Sequence, residues 1–150
     1  MGVYEQFETD FPKRTLKIIE QYERKLPKGS ENYEVTLLVN CMLGLLVLPY
    51  QHLTDQIPNM AVDRLPEWSI ESTFIRSWGR RNQQQAGTLR ELVHRLRNGV
   101  AHLRIQAEGS EADITHLTFT DNNGFEARIP VANLRVFVKK LAATIIKEPV

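Results

Sequence analysis

The sequence predicts a mainly α-helical fold, a helical bundle to which a C-terminal β-hairpin and a closing helix are appended. Three observations predict this fold class. Apolar residues recur at three- and four-residue steps over residues 88–104, and an apolar stretch of 14 residues spans 35–48. Residues 114–120 and 125–131 instead alternate between apolar and polar side chains, which is typical of strands.

The length of 150 residues predicts a single domain with its own hydrophobic core. We place the helical core at about 11–104, the hairpin at about 114–131 and the last helix at about 133–147. No signal peptide or bilayer-spanning stretch is visible, and the single cysteine, Cys41, supports no intramolecular disulfide. We therefore expect a cytoplasmic protein that does not enter a membrane.

The first two helices are predicted to form an antiparallel pair. The first spans 11–26, with Asp10 as its cap and Pro12 in its first turn. The second starts at Ser30 or Asn32 and runs through the apolar stretch to Leu48. Residues 50–72 predict a loop with short helical turns, and a third helical segment includes 72–78.

A polar break at 79–87 precedes the most informative helix, at 88–104. Thr88 and Glu91 form a capping box at its start. Its apolar stripe consists of Leu89, Leu92, Val93, Leu96, Val100 and Leu103. Its other face carries His94, Arg95, Arg97, Asn98 and His102. A polar loop at 107–113 then leads to the hairpin, whose turn is predicted at Asn123-Gly124.

Positive charge is concentrated around this helix. Residues 76–104 hold seven arginines and one acid, a balance of +6 in a chain whose net charge is +1. The planar guanidinium suits phosphate, so we predict RNA contacts at four of them, Arg80, Arg81, Arg95 and Arg104. A solvated basic face is the alternative interpretation.

Arg97, Asn98 and His102 form an Arg-x4-His pattern with a polar residue after the arginine. On a helix late in a bundle, this pattern resembles the HEPN superfamily (higher eukaryotes and prokaryotes nucleotide-binding), in a branch carried by plasmids or mobile elements. The resemblance covers 97–102 as a motif and about 11–104 as a helix pattern. The hairpin and last helix lie outside the common core. Arg95 also stands at an allowed spacing from His102, but the apolar Leu96 follows it.

The resemblance implies a metal-independent endoribonuclease, a hydrolase acting as a toxin or defence effector, that cleaves RNA by attack of the ribose 2′-hydroxyl. In that mechanism His102 would do the acid/base work and Arg97 would stabilise charge on the phosphoryl oxygens. Asn98 would orient His102 or the phosphate. No cofactor and no metal are expected.

An ideal helix directs the side chains of Arg97 and His102 about 140° apart, so one chain is poorly suited to close the site alone. Two such helices about a two-fold axis would bring both pairs into one cleft, and the resemblance also implies a homodimer. The expected partners are thus an RNA substrate, a second copy of the chain and, for a toxin, a cognate antitoxin protein.

Three other interpretations remain open. The chain could be a non-catalytic HEPN-like module that binds RNA, a nucleotide or a protein partner, or an antitoxin or immunity-like protein. His94, Asn98 and His102 could form a metal stripe, which we disfavour because no cysteine or acid joins them nearby on the helix. Gly99 inside the helix weakly favours a site, without separating catalysis from binding.

Overall fold

The computed structural model describes residues 7–25, 34–42, 44–45, 57–79, 87–110 and 113–146. Within these ranges lie four α-helices: α1 (Phe7–Lys25), α2 (Glu34–Met42), α3 (Leu89–Ala101) and α4 (Val131–Ile146). The strands are β1 (Ile75–Trp78), β2 (Ile105–Ser110), β3 (Asp113–Thr120) and β4 (Phe125–Pro130). Two 3-10 segments, Val62–Trp68 and Ser72–Phe74, precede β1.

The prediction of a mainly α-helical bundle with one appended hairpin was wrong. The four strands form one antiparallel sheet in the order β1-β4-β3-β2, so the fold is a mixed α/β fold. The predicted hairpin is β3 and β4, the centre of that sheet. β1 lies in the segment predicted to be helical, and β2 spans most of the predicted polar loop.

Both missed strands lie at the edges of the sheet, which explains why their sequences carry no strand pattern. β1 has only four residues, none of them fully buried. In β2 only Ile105 is partly buried, and the other five residues are exposed. Such strands are held by backbone hydrogen bonds to a neighbour rather than by an alternating apolar face, so hydrophobic periodicity does not reveal them.

The helix predictions were better, with local errors at the ends. α1 already includes Phe7, so Asp10 lies inside the helix instead of capping it, and Pro12 is buried within it. α2 ends at Met42, and the predicted continuation to residue 48 lies partly outside the described residues. Among the described residues, no helix is long and apolar enough to cross a bilayer.

α4 lies at the centre of the core. It packs against α1 and α2 on one side and against β3 and β4 on the other. Its fully buried side chains are Leu134, Phe137, Val138, Leu141 and Ala142. The sheet contributes Leu117, Phe119, Phe125, Ala127 and Ile129 to the same core cluster. Burial of this apolar surface is the main stabilising contribution that these residues make.

Cys41 is part of the core, with 7% of its surface exposed. Burial raises the pKa of its thiol to about 11, because the thiolate would lose its hydration. The sulfur is therefore protonated at neutral pH, as a structural cysteine is expected to be.

The turn between β3 and β4 consists of the four residues 121–124 and lies where the sequence predicted it. The backbone N–H of Gly124 donates to the carbonyl of Asp121 at 3.1 Å, and that of Asp121 donates to Phe125 at 3.2 Å. Gly124 has φ = +98°, which a side chain would disfavour. Aspartate at the first position and glycine at the last are both favoured in type I turns. This turn places Asp121 next to α3.

α3 lies close to β3 at Gly99. A Cβ atom at this position would lie 3.3 Å from the carbonyl oxygen of Thr120 and 3.6 Å from Cβ of Phe119. The glycine inside the helix thus has a packing role, since it lets the helix backbone lie against the strand. This contact accounts for Gly99 without invoking a ligand.

We expect Gly99→Val to destabilise the protein by about 1–3 kcal/mol, because the added isopropyl group would force α3 away from β3. Urea unfolding at neutral pH measures the change. Ala101→Val is the matched control, since Ala101 lies on the same helix but is exposed. Helix propensity alone favours valine over glycine, so a Gly99→Val variant at least as stable as the wild type would contradict the packing role of Gly99.

Candidate functional site

The polar face of α3 carries the candidate site, and the start of the helix is fixed locally. Oγ1 of Thr88 accepts a hydrogen bond from the backbone N–H of Glu91 at 3.2 Å, which confirms the Thr88 half of the predicted capping box. The predicted apolar stripe is buried with one exception. Its buried members are Leu89, Leu92, Val93, Leu96 and Val100.

The exception is Leu103, because the helix ends at Ala101 and not at residue 104. Leu103 has φ = +54° and is 74% exposed. Three backbone hydrogen bonds close this end: His102 N–H to Asn98 at 3.0 Å, Leu103 N–H to Val100 at 3.2 Å and Arg104 N–H to Gly99 at 2.8 Å. The last two are the bonds of a Schellman motif, normally built with glycine at the left-handed position.

This helix end determines where the motif histidine lies. His102 is the C-terminal cap residue and is exposed, directly before the chain turns into β2. Its N–H still bonds the carbonyl of Asn98, so the helical path extends as far as His102. The motif therefore runs from a half-buried Arg97 to a histidine at the exposed end of the helix.

Asn98 connects the motif arginine to the β3–β4 turn. Nη1 of Arg97 donates to Oδ1 of Asn98 at 3.2 Å. Nδ2 of Asn98 donates to Oδ2 of Asp121 at 2.9 Å. We expected Asn98 to orient His102 or the phosphate. Its side chain contacts Arg97 and Asp121, and its backbone carbonyl accepts a hydrogen bond from the N–H of His102. A contact of Asn98 with the phosphate stays a prediction.

Arg95 forms ion pairs with two carboxylates. Its Nη1 lies 3.0 Å from Oδ2 of Asp121, and its Nε lies 3.3 Å from Oε2 of Glu91. Its side chain is 20% exposed, so these pairs are shielded from solvent more than surface pairs are. Arg97 donates to the amide oxygen of Asn98. The choice of Arg97 over Arg95 as the arginine of the motif stays a prediction.

The side chain of Asp121 is 7% exposed. Burial raises its pKa, but hydrogen bonds from Asn98, from Arg95 and from the backbone N–H of Asn122 together lower the pKa by more. Asp121 is therefore ionised at neutral pH. Sequence reasoning missed this residue, because it lies 23 positions after Asn98 and only the turn brings the two together.

His94 lies one helical turn before Asn98 and is half-buried. Loss of hydration on burial lowers the pKa of its imidazole, and the positive charges of Arg95 and Arg97 lower it further, against the opposing effect of Asp121 and Glu91. The ring is thus neutral at neutral pH. Because the charged form is disfavoured there, His94 adds no positive charge to this face of α3.

The other predicted residues are less informative. Arg104 is exposed and follows Leu103, and its RNA contact stays a prediction, as does that of Arg95. Arg80 and Arg81 lie outside the described residues. Within the described part of the chain, no three His, Cys, Asp or Glu side chains converge as they would around a metal ion.

The chain matches a family model described as HEPN pEK499 p136 over residues 1–149. The match covers the sheet and α4 as well as the helices before them. It confirms the resemblance to a plasmid-borne branch of the HEPN superfamily. No curated protein and no solved structure matches the chain significantly.

Asp121→Asn is expected to cost about 2 kcal/mol of unfolding free energy at neutral pH, because hydrogen bonds to a charged group are weakened. A lowered pKa in the folded state stabilises the protein above the ordinary carboxyl pKa of about 3.9. This stabilisation is lost as pH falls through the folded-state value. The difference between wild type and variant should therefore be full above about pH 5 and shrink below it.

Urea unfolding between pH 7 and pH 3.5 measures this difference. Glu126→Gln is the control, because Glu126 belongs to the same hairpin and its ion pair with Arg76 is exposed. A difference between wild type and Asp121→Asn that does not change with pH would mean that the carboxylate charge is not what holds the turn to α3.

Proposed function

We propose, because the chain belongs to the HEPN pEK499 p136 family, that it is a metal-independent endoribonuclease of the toxin or defence type. The family membership makes the chain a HEPN-type module, and RNA cleavage is our proposal. The observation that carries it is the motif geometry: Arg97 is oriented by Asn98, and His102 lies exposed at the end of the same helix.

The reaction we propose is an internal transfer at the RNA phosphate. A base takes the proton of the ribose 2′-hydroxyl, and the 2′-oxygen attacks the adjacent phosphorus. The bond from phosphorus to the 5′-oxygen breaks, and that oxygen receives a proton from an acid. The products are a 2′,3′-cyclic phosphate and a 5′-hydroxyl. Imidazole suits both proton transfers near neutral pH, and this role falls to His102.

Arg97 would stabilise the negative charge that builds on the non-bridging phosphoryl oxygens. Its guanidinium is half-buried, where an electrostatic interaction is stronger than in bulk water. The hydrogen bond to Asn98 restricts its orientation before substrate binds. A donor that is already oriented does not have to reorganise during the reaction, which favours catalysis over simple attraction of phosphate.

The site we propose is composite. Arg97 and His102 project about 140° apart on the helix, so one chain presents them to different sides. A second copy related by a two-fold axis would complete the cleft with its own arginine and histidine. The further partners in this proposal are RNA in the cytoplasm and, for a toxin, a cognate antitoxin.

We expect the purified protein to cleave mixed RNA in EDTA, and His102→Ala to lower the rate by about 10²–10⁴-fold through loss of acid/base catalysis. Cyclic phosphate ends on the products and circular dichroism of both proteins complete the measurement. His116→Ala is the matched control, because His116 lies on β3 outside the motif. Equal cleavage by all three proteins would reject the assignment of His102. RNA binding without cleavage by the wild type would favour the non-catalytic binding module.

A composite site makes a second prediction. Arg97→Ala and His102→Ala, each inactive alone, should regain activity when mixed dimers form, since such dimers hold one arginine and one histidine in a shared cleft. Co-expression with two affinity tags isolates the mixed species. Mixed dimers as inactive as either parent would contradict a shared cleft. Re-mixed wild-type chains control for losses during purification.

A further inference from the structure

We infer that Asp121 is a positioning residue of the ribonuclease site: it fixes the amide orientation of Asn98 and thereby the place of the Arg97 guanidinium. An effect of Asp121 on catalysis rests on the proposed function. The positioning of Asn98 and Arg97 rests only on the contacts between the β3–β4 turn and α3. These contacts bring the β3–β4 hairpin, which the sequence analysis placed outside the common core, into direct contact with the motif.

The carboxylate of Asp121 is fixed through both of its oxygens. Oδ1 accepts the backbone N–H of Asn122 at 2.7 Å, within the turn. Oδ2 accepts from Nη1 of Arg95 at 3.0 Å and from Nδ2 of Asn98 at 2.9 Å. With 7% of the side chain exposed, water competes poorly for these bonds. A group fixed in this way can impose an orientation on its partners.

The partner on which it acts is the amide of Asn98. A primary amide has a donor end and an acceptor end, whereas a carboxylate only accepts. Nδ2 must therefore face Asp121, and Oδ1 is left to face Arg97. With the amide rotated by half a turn, its oxygen would face the carboxylate and its NH₂ would face the guanidinium. Both contacts would then be repulsive, so the charge on Asp121 selects one amide orientation.

Arg95 helps to hold the carboxylate of Asp121 in place. It lies between Glu91 and Asp121, so its positive charge is compensated inside the protein. The four charged groups Glu91, Arg95, Arg97 and Asp121 sum to zero. Removal of the Asp121 charge leaves the cluster with one excess positive charge, which attracts RNA more strongly. If Asp121 acts only through its charge, removal of that charge should tighten RNA binding without slowing turnover. If Asp121 positions Arg97, the same change should slow turnover.

Asp121→Asn separates these roles. Asparagine is equally suited to the first position of the turn, so the variant is expected to fold. It offers an NH₂ group where the carboxylate accepts hydrogen bonds. We expect kcat on RNA to fall by about tenfold or more, because the arginine is misplaced, while KM stays the same or falls. An unchanged kcat overturns the inference.

Glu126→Gln is the control for charge, since it removes one negative charge from the same hairpin at an exposed ion pair with Arg76. We expect its kcat to match that of the wild type. A fall in kcat as large as that of Asp121→Asn would mean that loss of hairpin charge, and not positioning, limits the reaction, and would overturn the inference.

Asn98→Ala tests the route of the effect. If Asp121 acts through Asn98, the double variant Asp121→Asn/Asn98→Ala should turn over as fast as Asn98→Ala alone. Full additivity of the two rate losses would show that Asp121 acts by another route, against the inference.

Side-chain NMR tests the positioning without any catalysis. In Asp121→Asn, and not in Glu126→Gln, the Nδ2 resonance of Asn98 and the Nε resonance of Arg97 are expected to shift. Unchanged resonances overturn the inference whether or not RNA is cleaved. If the resonances shift in Asp121→Asn but the wild type cleaves no RNA, the positioning is supported and only the proposed function is rejected.

Discussion

The structure around the motif depends on the close approach of α3 to β3 at Gly99. With no side chain at Gly99, the helix backbone lies against Thr120 and Phe119. The turn that follows β3 is thereby placed beside the polar face of the helix. Asp121 then reaches Arg95 and Asn98 within hydrogen-bond distance. A backbone contact in the core thus sets the distance at which polar groups of the site meet.

The sheet also changes how the positive charge of the chain is to be understood. The sequence concentrates seven arginines between residues 76 and 104. In the structure Arg95 is compensated by two carboxylates, and Arg76 is paired with Glu126. Nε of Arg90 donates to the carbonyl of Ile57 at 2.7 Å, which commits that side chain to a loop. The positive potential available to a phosphate is therefore smaller than the sequence count suggests.

The sequence predictions were correct where a feature depends on residues close together in the chain, and wrong where it depends on residues far apart in the chain. The cap at Thr88, the buried stripe of α3 and the position of the β3–β4 turn depend on neighbours within a few residues, and each was predicted. The edge strands β1 and β2 depend on pairing with a neighbouring strand and were missed. The prediction that Leu103 belongs to the buried stripe was wrong for a related reason. Leu103 has a left-handed backbone conformation, which a helical repeat of apolar residues does not predict.

The sequence by itself determined the motif, because Arg97, Asn98 and His102 follow one another along one helix and its end. Helical geometry fixes their relative directions whatever surrounds them. Only the tertiary structure decided what holds Asn98 and which arginine is compensated, since Asp121 comes from a turn 23 residues further along. No local pattern encodes that contact. It exists because antiparallel pairing of β3 and β4 and burial of α3 against β3 bring the turn to the helix.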